Sequence, residues 1–151
     1  MPVLTKKQRE ARSSLIAKNL NFSLPIKLNQ NNFTFWKAQI MPIVRAFDLE
    51  EFLVGPVKCP QKYVEERDEE TGETIQSISD DYLTWKKIDQ LLVGWIFSTL
   101  SESMLAQVTQ SVTACEIWRC ITSLLSQCSM ARKMHLKNQL QVMKKRLIKH
   151  Q

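Results

Sequence analysis

The chain has 151 residues, 44% of them apolar, with three glycines, five prolines and a formal charge of +6. This size fits one domain with tails, and the scarcity of turn residues argues against a many-stranded β fold. An all-α bundle of five or six helices is therefore expected.

Residues 1–25 read as a basic arm. Met1 to Lys27 holds six Lys/Arg and one acid. Thr5 to Leu20 offers Leu15, Ile16 and Leu20 to a helix, but its first half has no apolar face. Partial order is expected there.

Residues 26–128 read as the helical domain. Asn31 and Asn32 are cap-type residues ahead of Phe33, Trp36, Ile40, Ile43, Val44 and Phe47, which share one helical face. Pro42 removes a backbone donor inside that helix, so a kink or break is expected. A short helix, Leu49 to Val54, should stop at Gly55 and Pro56. Residues 55–78 show no helical stripe, and their prolines and acidic run predict a long acidic loop of disordered character. Glu65 to Glu73 holds six acids against Arg67.

Ser79 to Leu100 is the expected centre of the bundle. Ser79 or Asp80 suits a helix start. Trp85, Ile88, Leu92 and Trp95 recur at steps of three and four on one face. From Leu91 to Phe97 the run is apolar on nearly every side, broken by Gly94, as in a helix that enters a core and is surrounded. That apolar run is about half the length of a membrane span. Ser101 opens a short helix through Met104, Leu105 and Val108. Ser111 or Thr113 caps the next, with Ile117, Trp118, Ile121, Leu124 and Leu125 as its stripe. Trp36, Trp85, Leu92, Trp95 and Trp118 are the expected core-defining residues.

Residues 129–151 read as a separate basic terminal helix opened by Ser129. Leu136, Leu140, Met143 and Leu147 step by four, three and four, the spacing of a helix–helix seam. This stripe is the candidate self-association face. It is set among Lys137, Lys144, Lys145 and Arg146, so pairing of two such helices should strengthen as salt screens their repulsion. No acid follows Glu116. Lys6, Lys7, Arg9 and Arg12 of the arm, with Arg132, Lys133, Lys137, Lys144, Lys145 and Arg146, are the candidate nucleic-acid contacts.

No phosphate loop, zincin motif or nucleophile elbow occurs, and the two histidines have no acid near them in sequence. An enzyme is not expected, nor a cofactor, a metal or a small-molecule substrate. Cys59, Cys115, Cys120 and Cys128 fit no zinc spacing and read as buried free thiols of a reducing compartment, with a cytoplasmic location. Neither a secretory leader nor a membrane partner is expected.

An ordered set of residues resembles the Gag proteins of plant-type Copia retrotransposons. Lys27-Leu28, Asn32-Phe33 and Trp36 resemble that family's opening segment. Trp85, Asp89-Gln90-Leu91-Leu92 and Trp95-Ile96 resemble its central helix. Ser98, Leu100-Ser101 and Ala106-Gln107-Val108 extend the likeness. Ala114, Glu116-Ile117-Trp118 and Leu124 follow, then Ser126, Ala131-Arg132, Leu136 and Gln139-Leu140. The set runs from about Pro25 to Met143 and is specific as a set rather than in any one motif. It implies a fold like a capsid N-terminal lobe, without catalysis. It also implies association with itself or other Gag chains and secondary, non-specific RNA contact. The family continues into a second helical lobe and often a zinc knuckle, so the sequence is expected to be a first Gag half, or one encoded alone. The alternative is a standalone helical nucleic-acid-binding protein acting through its basic terminal helix.

Overall fold

The computed structural model describes residues 5–21, 23–55 and 59–150. The first four residues of the expected arm and Pro56 of the expected helix stop lie outside them. The described residues form six helices and one hairpin: α1 (Lys6–Asn19), α2 (Phe33–Ala46), α3 (Glu50–Leu53), β1 (Tyr63–Arg67), β2 (Thr74–Ile78), α4 (Asp80–Ser98), α5 (Glu102–Val108) and α6 (Ala114–Lys149). The protein is mostly helical, as the composition requires, but not all-α.

Helix α4 occupies the middle of the core. Ser79 caps it, its hydroxyl accepting from the Tyr82 amide, and Asp80 and Asp81 sit in the positively polarised first turn. Ile88, Leu92, Val93, Trp95 and Ile96 are buried, while Gly94 is exposed. Trp85 is half-buried and stacks on Phe52 of α3 at 5.8 Å between ring centroids.

Helix α2 continues through Pro42 from Phe33 to Ala46, so no break occurs. Its end is a Schellman turn: the Asp48 amide donates to the Arg45 carbonyl and the Leu49 amide to that of Val44. Asp48 takes the left-handed conformation this requires, with φ 54°. Leu49 and Val44, the apolar pair of that motif, are both fully buried.

The basic arm is ordered as α1. Thr5 and Gln8 form a capping box at its start, and Ser13, Ile16 and Leu20 are buried along α4. The expected acidic loop contains a hairpin instead. Strands β1 and β2 pair antiparallel with Tyr63 opposite Ile78 and Glu66 opposite Ile75. Asp68 Oδ1 accepts from the Glu70 and Thr71 amides, and Gly72 supplies a φ of +72°. The acidic stretch at 68–73 is thus a hairpin loop held by an Asx turn and a left-handed glycine.

The α4–α6 joint rests on a buried carboxylate. Asp89 Oδ1 accepts from the Ala114 amide at 3.1 Å, filling one of the donors that the start of α6 leaves open. Burial raises the Asp89 pKa, and the Glu116 charge adds to the rise, against the bonds from Ala114 and Gln90. The folded protein thus binds a proton here more tightly than the unfolded chain. This group's contribution to stability therefore falls as pH rises from the unfolded value of about 3.9 through the higher folded one. Asp89→Asn keeps an acceptor and removes the charge, so it should match or exceed the parent's melting temperature at neutral pH. Asp89→Ala leaves the Ala114 amide without its partner and should cost about 1–3 kcal/mol. Thermal melts of the three proteins between pH 4 and 8 check both outcomes.

Candidate interaction surface

Helix α6 has two unlike halves. Its start is set by a capping box of Thr113 and Glu116, and Ala114, Cys115, Ile117, Trp118, Ile121 and Leu125 are buried. Trp118 stacks on Trp36 at 5.9 Å, and Trp36 donates its indole N–H to Thr99 Oγ1 at 3.1 Å. Just beyond Leu125, Arg132 donates to the Gln30 carbonyl at 2.5 Å, tying the emerging helix to the turn before α2.

From Ser129 to Lys149 every residue is exposed. The helix does not restart at Ser129; it runs unbroken over 36 residues. That is about 54 Å, of which about 36 Å lies beyond Leu125. Extending a helix already nucleated in the bundle avoids the cost of a new first turn, so the second half forms without packing. Leu136, Leu140, Met143 and Leu147 are 59%, 59%, 58% and 69% exposed. The stripe does not fold back on its own bundle. A contiguous apolar row of this kind is unusual on the surface of a free domain.

The candidate nucleic-acid contacts divide into two sets. Lys6 pairs with Asp80 at 2.8 Å and Arg9 with Asp81 at 2.6 Å. Arg12 donates to the Phe47 and Asp48 carbonyls, placing its charge at the negative end of α2. In the folded chain these three arm cations already have partners on the bundle. Lys7 is exposed. Lys133, Lys137, Lys144, Lys145 and Arg146 are exposed on α6 with no carboxylate at ion-pair distance among the described residues.

No family model, curated protein or solved structure matches the chain.

Of the expected core residues, Trp36, Leu92, Trp95 and Trp118 are buried and Trp85 is half-buried. Of the four thiols, only Cys115 is buried; Cys120 and Cys128 are half-buried and Cys59 is exposed. Among the described residues no helix is long and apolar enough to cross a membrane, and no cluster of His, Cys, Asp and Glu is placed to hold a metal ion.

Three features escaped the sequence reading. Arg12 as a cap for α2 has no sequence signal, because its partners are backbone carbonyls 35 and 36 residues away. Asp89 as the acceptor for the start of α6 has no local signal either, because its partner is a backbone amide 25 residues away. The third is a backbone tie: the Leu28 amide donates to the Thr99 carbonyl at 2.9 Å and the Ser101 amide to that of Leu28 at 3.0 Å. It joins the Lys27-Leu28 segment to the Leu100-Ser101 segment.

Proposed function

We propose that this chain is a structural assembly protein, capsid-like and of the Copia-type retrotransposon Gag kind, whose copies associate through the exposed half of α6. The observation that carries the reading is the row Leu136, Leu140, Met143 and Leu147 on a helix that has left its own bundle. Further support comes from where the residues of the resemblance meet. Leu28 and Leu100 are tied through the backbone, Trp36 stacks on Trp118, and Asp89 caps the helix that begins at Ala114. Residues scattered over nearly a hundred positions thus serve a single core, which gives a physical reason for their order and spacing.

A second reading is favoured by charge. The seven Lys/Arg of residues 129–149 carry no acid among them. They give one projecting rod a strongly positive surface, suited to a single-stranded nucleic acid. Contact of this kind is sequence-tolerant and weakens steeply with salt, because it releases counterions.

One experiment separates the two. Light scattering on nuclease-treated protein should show a mass that rises with concentration, and Leu147→Asp should weaken association about ten- to a hundredfold, the worth of one buried leucine. If the parent stays monomeric at high concentration and assembles only after single-stranded RNA is added, nucleic-acid binding is the primary role.

A further inference from the structure

We propose that the projecting half of α6 docks on the acidic β1–β2 hairpin of a second copy of this chain, a choice of partner that rests on the self-association proposed above. Both elements stand unpartnered in the monomer. The two strands pair only with each other, and every strand residue except Val64 and Ser77 is exposed. Their charges are opposite: six carboxylates and one guanidinium lie between residues 65 and 73, against seven cations and no acid between 129 and 149.

The hairpin is also the acidic region left free by the rest of the molecule. Asp80 and Asp81 are taken by Lys6 and Arg9, and Glu50 and Glu51 by Arg45 and Arg12. No carboxylate between Glu65 and Glu73 has an ion-pair partner among the described residues.

Apolar surface and length match as well. Tyr63 and Ile78, directly opposite each other on one face of the hairpin, are 51% and 47% exposed and share that face with Glu65. On α6 the leucine row lies beside lysines. A strand of five residues is about 17 Å long. Leu136 to Leu147 spans about 17 Å of helix. Pairing α6 with α6 instead would set Lys137, Lys144 and Arg146 of one copy against the same cations of the other, and like charges across an interface select against it.

The contact is heterologous, since each copy offers one helix and one hairpin. Copies therefore add head to tail, into a ring if the rotation closes and an open chain if it does not.

Two charge-reversed proteins test the proposal, Glu65→Lys with Glu66→Lys and Lys137→Glu with Lys144→Glu, all at exposed sites. Nuclease-treated samples are measured by size exclusion with light scattering over a range of concentration and salt. The parent should assemble and should dissociate as salt rises, because opposite charges hold it. Each reversed protein alone should associate about tenfold more weakly or worse. Their equimolar mixture should recover the parent's association, because each reversed surface meets its complement on the other protein. If the parent assembles but the hairpin-reversed protein assembles equally well, or the mixture fails to recover, the hairpin is not the partner while self-association stands. A parent that stays monomeric throughout removes both. Assembly that appears only with added RNA identifies the helix's anionic partner as nucleic acid and overturns the proposal.

Discussion

Trp36→Ala should destabilise the protein by about 3–5 kcal/mol, the loss typical of truncating a large aromatic in a packed core. Trp36 is fully buried at the junction of α2, α4 and α6. Its ring lies 6.0 Å from Phe33 and 5.9 Å from Trp118, so its removal opens a space that two further aromatics line. Its indole N–H donates to Thr99 Oγ1, and Thr99 in turn donates to the Ile96 carbonyl at 2.6 Å. The cavity cost therefore comes with a buried hydroxyl that has lost its donor. Trp85→Ala should cost less, because Trp85 is half-buried and rests on Phe52 alone among the described rings. Chemical denaturation of the two variants beside the parent checks the order. Trp36→Ala unfolding with the parent would show that the α2–α4–α6 junction is not the centre of stability.

The elements most legible in the sequence were those whose order comes from apolar periodicity. Helices α2, α4 and α5 and the first half of α6 follow stripes of three and four, with cap residues at or near their starts, and they bury those stripes. The hairpin was hidden for a different reason. Its strands face water on both sides, so the alternation that marks a half-buried strand is absent. What order it has comes from Tyr63, Val64, Ile75 and Ile78 flanking an Asp-Glu-Glu-Thr-Gly-Glu turn, and the density of charge outweighed that turn signal. The unbroken course of α6 was concealed by Ser129, which looks like a start signal although it falls inside a helix already under way. At the candidate surface, the seam spacing of Leu136, Leu140, Met143 and Leu147 was readable from sequence, but its exposure was not. Whether a stripe meets its own bundle depends on where the preceding helix points, and that direction is fixed by Asp89, Trp118 and Arg132 through contacts distant in sequence.

Ile16→Ala should cost about 2–5 kcal/mol, although it lies in a segment whose sequence reads as a loose arm. Ile16 is fully buried, and it shares a face with Ser13 and Leu20, both buried, against α4. The same face continues toward the start of α1 as Arg9 and Arg12, whose side chains are 27% and 23% exposed. Arginine stems cover apolar surface while their guanidinium groups reach Asp81 and the end of α2. The first half of the helix therefore docks through amphipathic side chains, which a hydrophobic stripe does not reveal. Leu15 is the control: it is 55% exposed, turned about 100° from Ile16 around the helix, and Leu15→Ala should change stability by no more than about 0.5 kcal/mol. Denaturant midpoints of the two alanine variants, with limited proteolysis at the Lys and Arg of α1, give the answer. A docked helix resists cleavage in the parent and is cut in Ile16→Ala. Cleavage of the parent at the same rate, with Ile16→Ala and Leu15→Ala equally stable, would return α1 to the status of an arm. Lys6, Arg9 and Arg12 would then be free to meet an external anion.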